Sequence, residues 1–159
     1  MAGIDPSDLL HRVIRPTLST LGLDGPDADA LLLATAAQES GCGDRLAQLA
    51  GPALGLWQME PATHGDIIGN FLGTRPTLAR AVAALALPAM TRVEQLVGNL
   101  YYACAMARLV YRRAPAPLPP WNDADAQARY WKDHYNTPRG AGTVEQFLAS
   151  RRTIAGALA

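Results

Sequence analysis

The chain has few of the residues on which several common classes of protein depend. Cysteine occurs twice, at Cys42 and Cys104, so a secreted scaffold built on many regularly spaced disulfides is excluded. Two partly buried free thiols are expected, and a single bridge between them stays open. Lysine occurs once, at Lys132, but arginine brings the basic side chains to 14, which equals the number of acidic ones. This balance leaves no bulk field that would favour nucleic acid or an anionic membrane as a partner.

Long apolar runs and clusters of metal ligands are also missing. No stretch is long and apolar enough to cross a bilayer, and the first residues lack the basic start and apolar run of a secretory signal peptide. The three histidines match no metal-ligand spacing, and there is no glycine-rich phosphate loop or G-x-S-x-G turn. We therefore expect no metal, no other cofactor, no membrane span and no signal peptide.

What the chain does have is helical periodicity. Its 159 residues, 49% of them hydrophobic, predict one domain over residues 1–159. Apolar side chains recur at helical spacing and no strand-rich region or repeat occurs, so we predict an all-α fold. A small β-hairpin around residues 51–60 is an optional addition.

Pro16 is expected to kink or end the first helix. The longest helix is expected from Thr91 to about Arg113, opened by a capping box of Thr91 and Glu94. The predicted helices begin near Asp5, Pro26, Pro61, Thr77, Thr91, Asp123 and Thr143.

The helix that begins near Pro26 carries the strongest candidate for chemistry. Residues 28–37 are small or apolar on nearly all sides, which is typical of a buried central helix, and Gly41 is placed to end it. Glu39 then lies in the last turn, where burial and the helix dipole both raise the pKa of a carboxyl group. A general acid near neutral pH needs such a raised pKa.

Other polar and aromatic side chains suit a sugar-cleaving site around Glu39. Glu60 is a candidate second carboxylate, because glycoside cleavage commonly uses two; its alternative role is to start a helix. Aromatic rings offer flat faces to sugars, and amides bind hydroxyl or acetamido groups. Tyr101 and Trp131 are interpreted as core residues. The substrate-binding candidates are Trp57, Gln58, Tyr102, Tyr135 and Asn136.

Three short blocks of sequence belong together. They are Glu-Ser-Gly at residues 39–41, Gly-Leu-Trp-Gln-Met-Glu-Pro-Ala-Thr at residues 55–63, and Tyr-Asn-Thr-Pro-Arg-Gly at residues 135–140. In this order they resemble the soluble lytic transglycosylase and goose-type lysozyme superfamily, and residues 51–64 are similar to phage-encoded members. The chain departs from the family pattern at several positions, namely Trp57, Glu60, Ala103, Met106 and Ala107.

The resemblance implies a lysozyme-like fold and cleavage of the β-1,4 bond between N-acetylmuramic acid and N-acetylglucosamine in peptidoglycan. Glu39 matches the family's catalytic Glu, Gln58 a glycan-contacting Gln, and Tyr135 a Tyr that touches the catalytic Glu or the substrate. Both reaction types of the family stay open: closure of a 1,6-anhydro ring by the sugar's own hydroxyl, or attack by water.

The expected partner is therefore a peptidoglycan glycan strand, with phage structural proteins as a second class. The expected location is a phage virion, or the host cytoplasm before release to the periplasm. The main alternative is a non-enzymatic virion or tail component that uses the lysozyme fold for glycan binding or assembly. Activity on a chitin-like glucosamine polymer is a third.

Overall fold

A computed structural model describes residues 3–159 and shows the predicted all-α architecture. Within this range β pairing is limited to two isolated antiparallel bridges, Ala47 with Leu54 and Leu54 with Met59, so the optional hairpin is reduced to these contacts. The helices are α1 (Pro6–Leu9), α2 (Arg15–Leu21), α3 (Pro26–Ser40), α4 (Pro61–Asp66), α5 (Pro76–Leu85), α6 (Gln95–Gly98), α7 (Leu100–Arg112), α8 (Ala124–Trp131) and α9 (Val144–Thr153).

The first helical segment runs past Pro16, so of the two predicted effects of this proline the end of the helix is wrong, and the kink stays a prediction. The carboxylate of Asp5 accepts the backbone N–H groups of the first turn of α1. A π-helical turn, Leu10–Ile14, then joins α1 to α2. The hydrogen-bond register changes in this turn, so Pro16, which lacks an N–H, lies where the ladder is already interrupted.

Helix α3 is the centre of the molecule. The side chains of residues 28–37 are all buried, and α3 packs against α7, α8 and α9. Gly41, with a left-handed φ of 62°, ends the helix, and its N–H and that of the next residue close on the last turn. The predicted central helix is thereby confirmed, and Glu39 lies in its last turn.

The predicted uninterrupted helix from Thr91 to Arg113 is wrong. The capping-box hydrogen bonds between Thr91 and Glu94 are present, but α6 ends at Gly98 and Asn99 adopts an extended backbone conformation. The Asn99 carboxamide oxygen accepts the Tyr102 N–H at 3.1 Å and so caps α7. Asparagine favours such caps because its short side chain competes with the helical ladder for backbone groups.

Other features of the chain follow the sequence more closely. Asp123 caps α8, and Thr143 forms a capping box with Gln146 at the start of α9. Cys42 and Cys104 are both free and buried.

Tyr101, interpreted as a core residue, is instead 46% exposed. None of the helices within residues 3–159 combines the length and apolarity needed to cross a membrane.

Candidate active site

Glu39 opens from the end of α3 into a groove of about 730 Å³. Much of its lining comes from the segment that follows α3 and from the π-helical turn (Lys132–Asn136) and loop that follow α8. Four of the predicted site residues line this groove together with Glu39: Gln58, Glu60, Tyr135 and Asn136. The three sequence blocks therefore meet in space, although the first and last are almost a hundred residues apart in the chain.

The electrostatics of Glu39 are set by burial and by one hydrogen bond. Burial raises the pKa of its carboxyl group from 4.5 to about 7, because the charged form loses its hydration. The Trp131 indole N–H donates to Oε1 of Glu39 at 2.9 Å and opposes this rise by favouring the charged form. The carboxyl group is consequently divided between its acid and base forms near neutral pH.

Trp131 is a hydrogen-bonding neighbour of Glu39 that the sequence does not reveal. It is fully buried and its ring stacks on Phe147 with centroids 5.1 Å apart, so its interpretation as a core residue is correct. It is also the donor to Glu39. The signal that could have found it is general: a buried tryptophan N–H usually needs an acceptor, and the candidate carboxylate is one.

Two hydrogen bonds from side chains hold the turn between the bridged residues Leu54 and Met59 against the rest of the site. The Ser40 hydroxyl, one residue after Glu39, donates to the carbonyl of Leu56 at 2.6 Å. The Tyr135 hydroxyl donates to the carbonyl of Trp57 at 2.7 Å. The end of α3 and the π-helical turn Lys132–Asn136, which follows α8, thus hold the same turn, which places Gln58 at the groove.

Gln58 and Asn136 each combine a position in the groove with a structural hydrogen bond. Gln58 has a positive φ of 44°, and its side-chain amide donates to the carbonyl of Gly55 at 2.8 Å. Asn136 accepts from the ammonium group of Lys132 at 2.7 Å, and Lys132 also donates to the carbonyl of Gly140 at 2.8 Å. Asn136 therefore helps to hold its loop through Lys132, and its place in the groove is compatible with the predicted contact to substrate. Glu60 is exposed at the groove.

Trp57 and Tyr102 do not reach the groove, which corrects their prediction as substrate-binding residues. Trp57 is 1% exposed, and its indole N–H donates to the carbonyl of Leu32 at 3.0 Å. Tyr102 is 3% exposed, and its hydroxyl is paired with the imidazole of His64 at 2.8 Å. A ring that is buried in this way cannot stack on a sugar.

The hydrogen bond from Trp131 makes a direct prediction for the ionisation of Glu39. Trp131→Phe removes the indole donor to the carboxyl while keeping an aromatic ring, so the pKa of Glu39 should rise further, by on the order of one pH unit. NMR titration of the Glu39 side-chain carboxyl measures this without reference to activity.

Trp57→Phe is the matched control for that titration. It makes the same chemical change at an equally buried tryptophan whose N–H serves Leu32 rather than Glu39. The pKa of Glu39 should be nearly unchanged in this variant. Equal shifts in the two variants would mean that loosened packing, rather than the lost hydrogen bond, controls the ionisation.

Within the described residues no group of three or more histidine, cysteine, aspartate or glutamate side chains is placed to hold a metal ion. Comparisons with protein-family models, with curated proteins and with solved structures found no match. The function is therefore inferred from the geometry of the groove and from the three sequence blocks that meet there.

Proposed function

We propose that this protein is a glycosidase that cleaves the β-1,4 bond between N-acetylmuramic acid and N-acetylglucosamine in peptidoglycan, with Glu39 as general acid and base. The observation that carries the proposal is a carboxyl group, with its pKa raised to about 7, at the edge of a groove wide enough for a ligand. The resemblance of the three sequence blocks supports the same substrate class.

The hydrogen bonding of Glu39 suits proton transfer. The Trp131 N–H holds Oε1, and within residues 3–159 no other group donates to the carboxyl. The other oxygen can therefore carry a proton to the glycosidic oxygen as the bond breaks. Once ionised, Glu39 can take a proton from the attacking hydroxyl, and the Trp131 N–H stabilises the carboxylate between the two steps.

The remaining groove residues take supporting roles in this proposal. Gln58 and Asn136 present amide groups to the sugars, and Tyr135 fixes the turn that carries Gln58. Glu60 is the candidate for a second carboxylate. It lies in the same groove but is exposed, so it can stabilise positive charge on the sugar ring only weakly unless the substrate excludes water from it.

The proposed partner is the glycan strand of peptidoglycan, and the proposed setting is a phage virion or a lysing host cell. Phage structural proteins are a further proposed class of partner. A catalytic site of this kind needs access to the cell wall, so the location follows from the substrate rather than from any feature of the fold.

The test is digestion of purified cell walls by the wild-type protein, followed by turbidity and by mass spectrometry of the released muropeptides. We expect clearing at neutral pH. Products lighter by one water than the reducing-end forms would establish anhydro ring closure, whereas reducing ends would establish hydrolysis. Cleavage of chitin oligomers but not of cell walls would assign the related glucosamine polymer as substrate. If no fragment is released from either, the enzymatic proposal fails and a glycan-binding or assembly role is favoured.

A further inference from the structure

Two arginine side chains line the groove without a partner. Arg45 follows the end of α3, and Arg139 lies in the loop after α8. Both are exposed, and within the described residues neither forms a hydrogen bond or an ion pair, although Glu39 and Glu60 line the same groove. They are also the only cationic side chains among the described residues that line it.

The segment that carries Arg45 is braced on both sides of it. The Asp44 N–H donates to the carbonyl of Ser40 at 2.8 Å, and the Gly55 N–H donates to the carbonyl of Leu46 at 2.8 Å. Arg45 is therefore presented by a backbone that is held to the end of α3 and to the turn containing Gln58.

The loop that carries Arg139 is braced in a similar way. The Lys132 ammonium group donates to the side chain of Asn136 and to the carbonyl of Gly140, and the Gly140 N–H closes a turn on the carbonyl of Thr137 at 3.0 Å. The single lysine of the chain thus holds the loop through these hydrogen bonds. Arg139 stays available at its tip.

We propose that Arg45 and Arg139 form a subsite for carboxylate groups attached to the glycan. The planar fork of a guanidinium group matches a carboxylate with two parallel hydrogen bonds, which favours this ligand over neutral sugar hydroxyls. The inference rests on the proposed function, since peptidoglycan carries such groups: the carboxylates of the peptides linked to N-acetylmuramic acid, and the lactyl carboxylate of each N-acetylmuramic acid that carries no peptide. A polymer of N-acetylglucosamine alone carries none.

The consequence is selection of substrate by charge. A carboxylate-bearing strand gains two charge-assisted contacts that a neutral chitin oligomer cannot make. Because both arginines are exposed, each contact is modest, and together they should change affinity by about tenfold at low salt and less at high salt.

The test measures binding in the Glu39→Gln background, so that the glycans are not cleaved. The probes are glycan strands with their peptides, strands stripped of peptides by an amidase, and chitin oligomers. Adding Arg45→Gln and Arg139→Gln should raise Kd about tenfold for the peptide-bearing strands and leave Kd for chitin oligomers unchanged. In peptide-bearing strands the lactyl carboxyl is an amide, and the amidase frees it as a carboxylate. A rise in Kd confined to peptide-bearing strands assigns the peptide carboxylates as the ligand; a rise that also occurs for stripped strands shows that the subsite accepts the freed lactyl carboxylate as well.

Arg152→Gln is the matched control, because Arg152 is an exposed arginine of α9 that does not line the groove. It removes one positive charge, as each of the two tested substitutions does, and should not change Kd for any probe. The subsite is overturned if the double substitution leaves binding of carboxylate-bearing strands unchanged, if it weakens chitin binding equally, or if no probe binds. Clearing of cell walls by the wild type together with any of these results would leave the glycosidase proposal intact.

Discussion

Replacing Glu39 with glutamine is expected to abolish clearing of purified cell walls, with a fall in kcat of about a hundredfold to ten-thousandfold. Glutamine has nearly the same size and can still accept the Trp131 N–H, but it has no proton to give to the glycosidic oxygen. Turbidity and the yield of muropeptides measure the effect. Clearing by this variant at the wild-type rate would remove Glu39 from the mechanism.

Glu145→Gln is the matched control for this substitution. Glu145 is exposed in the first turn of α9 and does not line the groove, so the variant should clear cell walls like the wild type.

Glu60→Gln measures how much the candidate second carboxylate contributes to clearing. A loss comparable to that of Glu39→Gln would establish that two carboxylates act together, and a loss below about tenfold would restrict Glu60 to binding.

The pH dependence of stability is a test both of the folding of Glu39→Gln and of the raised pKa of Glu39. The folded pKa of about 7 lies above the ordinary 4.5, so the folded protein holds a proton that the unfolded chain releases between these values. Wild-type stability should therefore fall as pH rises from about 4.5 to 7. The glutamine variant lacks this loss, so at pH 8 it should gain up to about 3 kcal/mol relative to the wild type, compared with their difference at pH 4. Urea unfolding at the two pH values measures it.

The rate of cell-wall clearing should also fall as pH rises, for the same reason. Glu39 acts first as an acid, which requires the protonated form, and that form declines about tenfold per pH unit above a pKa of about 7. Activity should accordingly fall above neutral pH. The wild-type and Trp131→Phe proteins should both lose activity in this way, and in Trp131→Phe the loss should occur at higher pH.

The sequence was most informative where local chemistry decides the structure. The mostly apolar run of residues 28–37 with Gly41 after it predicts a buried helix and the place of Glu39 at its end, because burial of a helix that is apolar on nearly all sides and a left-handed glycine cap need little tertiary context. The caps at Asp123 and Thr143 were readable for the same reason.

The sequence was least informative where two distant segments meet. Burial of Trp57 and Tyr102 depends on helices that pack against them, so their aromatic character could not tell a binding surface from the core. The hydrogen bond from Trp131 to Glu39 joins residues that only the packing of α8 beside α3 brings together. The break at Asn99 was missed because the apolar spacing of residues 91–113 favours a continuous helix, whereas the Asn99 side chain also binds Leu85 and Gln95.

Gly55→Ala is expected to lower the free energy of unfolding by about 3–5 kcal/mol, since it combines a strained φ with a steric clash. Gly55 has a φ of 76°, and a Cβ added there would overlap the carbonyl oxygen of Leu96 and lie 2.8 Å from its carbonyl carbon. Both groups are backbone, so neither can move aside as a side chain would. Urea unfolding of the variant measures the loss.

Gly22→Ala separates the two causes. Gly22 has a similar φ of 65°, but a Cβ added there meets nothing within 4 Å, so this variant should lose only about 1 kcal/mol. The difference between the variants isolates the contact of Gly55 with α6. That contact also holds the carbonyl to which Gln58 donates, so Gly55→Ala should bind glycan more weakly even where it remains folded, and Gly22→Ala should not. Equal losses of stability would mean that backbone conformation alone, and not the close approach to Leu96, requires glycine in the second sequence block.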